Sequence, residues 1–312
     1  MAFRSFKEIV GEEFYQKAKD YAKIHSNPSD LRGFGLIAGN YLIIFTAILA
    51  HLYLEHFLIY LVAIVVIAGR QHGLLSLLHE AVHGLLFSRK SMNHLMANLF
   101  CILPLGNTFN TFARSHLNHH KFLNTKLDPE WYKKTTQGWK FRKNLKGFLY
   151  LAFMECLVRN LRGRALKFLN IFKGTENSRN HRWLFFAYYL ILFGALIHFK
   201  LLGLFAIYWL VPYLLVLPLI SFSRSLAEHF GLEYDSELSS SRNVRPSVLN
   251  QFFIPHDTGL HLTHHLFPGV PCYHLKKVTE FLEKSPRFRE FAHRNDGYYL
   301  AENSVFKDVV RC

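Results

Sequence analysis

The chain has 312 residues, 50% hydrophobic and 16% aromatic, with a formal charge of +15 at neutral pH. Its four cysteines, Cys101, Cys156, Cys272 and Cys312, form no CxxC pair and no regular spacing. That excludes a disulfide framework, a zinc ribbon and a built-in iron–sulfur cluster, and the long apolar runs favour a membrane protein over one large soluble domain.

The first 26 residues set Phe3, Phe6, Val10, Phe14, Ala18, Tyr21 and Ala22 three and four apart among Lys, Glu and Gln. This pattern predicts an amphipathic helix lying on a membrane or on the protein. It is not a signal peptide, because charge interrupts the apolar positions. Residues 1–33 thus form an N-terminal segment, ahead of a core over 34–280 and a tail over 281–312, all within a single domain.

From Leu36 to Ala68 the chain is apolar except at HLYLEH, His51–His56, which predicts two spanning helices joined by a hairpin. A hydrocarbon core needs roughly 20 residues per helix, so the second must run on through Arg70 and Gln71 towards His79. Those polar residues should face the bundle interior or the interface, and His72 reads as a structural or supporting group. The apolar stretch Leu95–Gly106 is too short to cross, so it is expected to be re-entrant or interfacial.

Between Arg114 and Arg182, 16 Lys/Arg stand against four acidic residues, and such a segment stays cytosolic. No nucleic-acid motif accompanies the charge. It reads as a lipid-facing surface or as a docking site for an acidic electron donor or acyl carrier.

Leu184–Phe199 and Leu201–Phe222 form a second apolar pair, with Pro212 and Pro218 as kinks that membrane helices accommodate. The expectation is an all-α protein of four spans, with both termini and the histidine-rich segments on the cytosolic side. Glu233–Val248 reads as a surface loop. The last residues read as a charged amphipathic tail without a haem-binding motif.

Three histidine clusters carry the chemistry: HEAVH (His79, His83), HLNHH (His116, His119, His120) and HLTHH (His261, His264, His265). With 19 histidines in the chain, about 0.07 HxxHH matches are expected by chance, and two occur. On a helix each cluster presents its imidazoles on one face. Imidazole is a metal ligand when neutral and suits zinc, copper, iron and nickel, and eight such ligands are too many for one ion.

HEAVH, the stretch RSHLNHHKFLNTKLDPE from Arg114 to Glu130, and HLTHHLFPGVPCYHL from His261 to Leu275 resemble the membrane fatty-acid desaturase family. This family of histidine-box di-iron proteins also includes hydroxylases and ketolases, and the likeness covers roughly residues 35 to 280. It implies two iron ions, O2 as co-substrate, a fatty acyl substrate and an external electron donor such as ferredoxin or cytochrome b5.

In SRSLAEHFGLE, from Ser223, the resemblance adds His229 as a ninth ligand. Some members carry an asparagine four residues before that histidine, where this chain has Ser225. Glu228, Asn250 and His274 are candidate groups behind the ligands, while His256 and Asp257 read as structural or supporting. His181 and His293 are expected to be nearly silent to substitution.

The expected activity is desaturation of an acyl chain, held as acyl-lipid, acyl-CoA or acyl-carrier protein, with the active site on the cytosolic face. The compact length and lack of a fused cytochrome favour a bacterial cytoplasmic membrane. The alternatives are lipid or carotenoid hydroxylation or ketolation on the same scaffold, and a non-enzymatic membrane metal-binding or transport protein. Transport predicts ionisable groups at the midplane of the spans, whereas the clusters lie beyond them.

Overall fold

The computed structural model describes residues 3–123, 125–130, 144–173, 179–232 and 234–311. Much of the basic stretch, including 131–143 and 174–178, and the side chain of His181 lie outside the described residues.

The chain opens with α1 (Phe6–Val10) and α2 (Glu12–Ile24). The single amphipathic helix expected there is broken at Gly11, whose φ of 83° lies in the region that favours glycine. Ser5 and Glu8 form a reciprocal cap on α1. The apolar face meets protein: Phe6 packs edge-on against Phe267 and Phe288, and Phe14 and Tyr21 stack on Phe281.

Then come α3 (Asp30–Leu54) and α4 (Phe57–Val82), capped by Ser29 and His56 respectively. Between them Glu55 takes φ 47° and its N–H donates to the His51 carbonyl, closing the hairpin that HLYLEH predicts. The polar residues in α4 are buried as expected, Arg70, Gln71 and His72 among them. Two NH2 hydrogen bonds run from Arg70 to the carbonyls of Gln251 and Phe252, at 2.9 and 2.6 Å. Gln71 donates to the Trp209 carbonyl.

After α5 (Lys90–Ala97) the helix loosens into a π turn over Asn98–Ile102 and a 3-10 turn over Leu103–Leu105, ending at Gly106. Broken backbone at membrane depth must find partners inside the protein. Tyr41, Tyr189 and Tyr213 donate their hydroxyls to the carbonyls of Phe100, Leu103 and Leu105, and the Trp209 indole donates to that of Pro104. The segment is therefore a short anchored element, in keeping with a stretch that does not cross.

The remaining helices are α6 (Phe109–Lys121), α7 (Leu145–Phe153), α8 (Asn160–Lys173), α9 (Arg179–His198) and α10 (Leu202–His229). Beyond them lie α11 (Val248–Phe253), α12 (His261–Leu266), α13 (Cys272–Leu282), α14 (Pro286–Phe291) and α15 (Val305–Arg311). By length and composition α3, α4 and α10 are able to cross a membrane. The third expected span, α9, is apolar only over the shorter stretch Arg182–His198.

The protein is overwhelmingly helical. This bears out the all-α expectation, the described residues adding only a minimal sheet in which β1 (Arg242–Val244) pairs in parallel with β2 (His293–Asn295). The expected surface loop around β1 is corrected, because Ser240, Ser241, Arg242, Asn243 and Val244 are buried. A buried ion pair causes this: Arg242 donates to Asp308 Oδ2 from Nε and NH2 at 3.0 and 2.8 Å. The expected tail thus belongs to the folded body.

Candidate metal centre

His79 lies in the last turn of α4 and His83 caps that helix. The second cluster lies on α6, His229 ends α10, and the third cluster occupies α12. Asn93 accepts the N–H groups of Leu86 and Phe87, fixing the turn that leaves the first cluster. Asn243 clamps α12, donating to Thr263 Oγ1 at 2.9 Å and accepting the Thr263 N–H at 3.1 Å.

These elements bring all nine predicted ligands together in two groups. His79, His83, His116, His120 and His264 form one; His119, His229, His261 and His265 form the other; within each, the ligand atoms lie within 4.8 Å of one another. Each HxxHH helix serves both groups. Its i,i+4 pair goes to one group and its middle histidine to the other: His116 and His120 against His119, and His261 and His265 against His264.

This division follows from the turn of the helix, since positions four apart differ by about 40° whereas the third is rotated the other way. The facing nitrogens are close, 2.8 Å between His83 and His116, 3.1 Å between His120 and His264, and 3.0 Å from His261 to both His229 and His265. His120 and His265 stack at 4.4 Å, joining the groups.

Several ligands are held from behind. His119 Nδ1 lies 3.0 Å from Asp128 Oδ1, and His229 Nδ1 donates to the Ser240 carbonyl at 2.8 Å. His261 Nδ1 is 3.5 Å from Glu228, which pairs with Arg224 at 2.7 Å. His79 Nδ1 is 3.4 Å from Glu80, whose other oxygen accepts the Cys272 N–H at 2.7 Å. Acceptors at Nδ1 leave Nε2 with its lone pair facing the site.

Burial, and then the neighbouring imidazoles, hold His116, His261, His264 and His265 well below the ordinary histidine pKa. Neutral rings are what a metal needs. His79 Nε2 is buried without a hydrogen-bond partner among the described residues, a cost that coordination would remove. The donor set fits two ions of a metal that favours imidazole.

Of the supporting groups predicted from sequence, Glu228 is in place beside His261. Asn250 makes its contact elsewhere, donating to the Arg245 carbonyl, and His274 lies against Arg32 and His25. His256 meets Asn40, and Asp257 meets Gln251. Cys272 is an ordinary buried thiol, with burial pushing its pKa up.

Sequence reasoning missed Glu80, Asp128 and Asn243. Glu80 stands inside the first box and Asp128 nine residues after His119, so each had a signal in its position. Asn243 and the Ser240 carbonyl had none.

Helices long and apolar enough to cross a membrane, together with nine imidazoles gathered into two adjoining groups, give the chain the lining of a histidine-only metal site. The family model for fatty acid desaturases matches residues 55–295, and the chain belongs to that family. It is 26% identical over 288 residues to dihydrorhizobitoxine desaturase of Bradyrhizobium elkanii, covering 88% of this chain and 81% of that protein. It is 24% identical over 237 residues to an endoplasmic-reticulum omega-3 fatty acid desaturase of Nicotiana tabacum, covering 65% of this chain and 59% of that protein. Membership makes the chain an oxidoreductase of the desaturase type.

Proposed function

We propose that the chain introduces a C=C bond into a fatty acyl chain, using O2, two iron ions held by the nine histidines, and electrons from an external donor. The two groups of imidazoles, each with its ligand atoms within 4.8 Å, carry this reading. Bound iron would supply the reduction of O2 and the oxidising power to break an unactivated C–H bond. In the overall balance, O2 takes two electrons and two protons from the two C–H bonds, two electrons from the donor and two protons from water, and leaves as two waters.

The protein's own part is positional. Asp128, the Ser240 carbonyl, Glu228 and Glu80 stand behind the rings of His119, His229, His261 and His79. An acyl chain offers no group for acid–base catalysis, so selectivity comes from which carbon is placed at the site. The chain carries no flavin, nicotinamide or iron–sulfur motif, which calls for a separate donor such as ferredoxin or cytochrome b5. The positive charge of the segment that follows the second box favours the cytosolic face of a membrane for the site.

One of the two relatives is named for dihydrorhizobitoxine, which favours as a second reading a substrate other than a fatty acid. Product analysis separates the two. Cells expressing the protein are profiled against cells expressing His264→Ala, and the detergent-purified protein is assayed for metal.

The expected result is about two irons per chain and new unsaturated acyl chains only with the intact protein, while His264→Ala and His119→Ala still insert in the membrane. Hydroxylated or keto products would keep the site and change the reaction. Zinc, or no iron, with an unchanged profile would replace an oxidative enzyme with a metal-binding or transport protein.

A further inference from the structure

We propose that Arg32 and His274, with His25 and Lys277 beside them, form a receptor for the phosphate of an acyl head group, at the start of the first helix able to cross a membrane. This rests on the acyl-chain reading above and names the kind of head that the chain carries.

Arg32 stands in the first turn of α3 and His274 in the first turn of α13. The NH1 of Arg32 donates to His274 Nε2 at 3.4 Å, and its guanidinium lies over the Tyr273 ring at 4.7 Å. Tyr273 is fixed in turn, its hydroxyl accepting the Ser29 N–H at 2.8 Å. His25, at the end of α2, meets His274 edge-on at 5.2 Å. An exposed guanidinium is thus held in one place from two sides.

This cation has no counter-charge. Among the described residues Arg32 forms no ion pair, and Asp30, two residues before it, spends its oxygens on Ser88 at 2.7 and 3.0 Å. Because Arg32 donates to Nε2, the proton of a neutral His274 sits on Nδ1, which is buried with no hydrogen-bond partner among the described residues. Burial, and then the positive charges of Arg32, His25 and Lys277, hold His274 below the ordinary histidine pKa.

The first turn of a helix is its positive end, where a cation is disfavoured and an anion is stabilised. Here two helices bring basic side chains to that position and face them towards each other. An oxyanion offsets both costs. The flat fork of Arg32 matches phosphate oxygens, and Lys277 adds charge for a group that carries more than one. Lipid phosphates also stand at the depth where a spanning helix begins. The same turn of α13 ties to the first box, since the Cys272 N–H donates to Glu80 at 2.7 Å, next to His79. A head group fixed here sets how far its acyl chain reaches towards the histidines.

The test is equilibrium dialysis of full-length protein in non-ionic detergent against four palmitoyl probes: palmitoyl-coenzyme A, palmitoyl-lysophosphatidic acid, palmitate and monopalmitoylglycerol. Wild type is expected to hold at least one phosphate probe about tenfold more tightly than palmitate or monopalmitoylglycerol. Arg32→Gln should remove that advantage, Arg32→Lys should restore part of it, and His274→Gln should weaken it less. Arg287→Gln, at an exposed arginine paired with Glu290, should change nothing. The probe whose affinity falls in Arg32→Gln tells a coenzyme A head from a lipid head.

Equal affinity of wild type for all four probes would overturn the proposal, as would a phosphate preference that Arg32→Gln leaves unchanged. Binding is read without turnover, so the two readings fail separately. Unsaturated products without a phosphate preference leave the desaturase and remove the receptor; phosphate binding through Arg32 without any oxidised product does the reverse.

Discussion

The histidine site is held from two sides by different means. Before it stands α4, 26 residues long and packed so closely that 56% of its most apolar window is buried, against 22% for its hairpin partner α3 at nearly the same hydropathy. After it stands the segment 234–311, which has short helices, two three-residue strands and a buried ion pair. The first side combines close packing of a long buried helix with the Arg70 and Gln71 hydrogen bonds, whereas the second centres on a buried ion pair. Each therefore fails in a different way when changed.

The largest effect is expected on the polar side. Arg242 has no exposed side-chain surface and donates to Asp308 and, at 2.7 Å, to the Phe230 carbonyl just beyond His229. Asp308→Asn leaves that guanidinium buried without its counter-charge, which costs about 3–5 kcal/mol. Denaturant unfolding in detergent measures it, and an unchanged midpoint would mean that the pair does not hold this side.

The same carboxyl has a pH signature. Burial raises its pKa, but the hydrogen bond with His293 and the charge of Arg242 outweigh that and bring it down to about 2. A pKa depressed below the ordinary value of about 3.9 gives stability that is present above that value and lost as pH falls towards 2. In Asp308→Asn that acid limb should flatten.

The contrast also explains how much could be read from the sequence. Spans, hairpin and histidine boxes are local patterns of hydropathy and spacing, so α3, α4, the HLYLEH turn and the eight box histidines that cluster were legible, while His229 came from the family resemblance. The partition of each HxxHH box between two groups depends on where α6 and α12 meet, a long-range relation that spacing alone does not contain. The loop at 240–244 looked polar and exposed because Ser, Arg and Asn usually are; its burial depends on Asp308, more than 60 residues away. Residues behind the ligands, such as Asn250 and His274, were misplaced for the same reason, and Asp128 passed as one acid in a basic stretch.

A middle-sized effect is expected on the packed side. A Cβ added at Gly73 would stand 2.3 Å from Asn40 Oδ1 and 3.0 Å from Pro255 Cγ. Asn40 has little freedom to move, since its amide nitrogen is bonded to the Leu36 carbonyl at 2.8 Å and lies 3.0 Å from His256. Gly73→Ala should cost about 1–3 kcal/mol by overpacking. Gly39, in α3, has nothing within 4 Å of the same atom, so Gly39→Ala should be neutral or stabilising by up to about 1 kcal/mol. Equal melting temperatures for the two variants would erase the distinction between the helices.

The smallest effect is expected at His293. Its Nε2 lies 2.8 Å from Asp308 Oδ2, the same oxygen that Arg242 engages, and about a third of its side chain is exposed. The sequence reading makes His293→Ala nearly silent, and the structure gives the residue a partner without making it the only one. Its place in β2 rests on backbone pairing, with its N–H donating to the Leu238 carbonyl, and alanine retains that bond. Half-exposed pairs of this kind contribute less than about 1 kcal/mol. Iron content and product formation should be unchanged, with the unfolding midpoint only slightly lower. A loss as large as that of Asp308→Asn would show that His293, rather than Arg242, fixes the carboxylate, and that this side is held at its rim instead of in its interior.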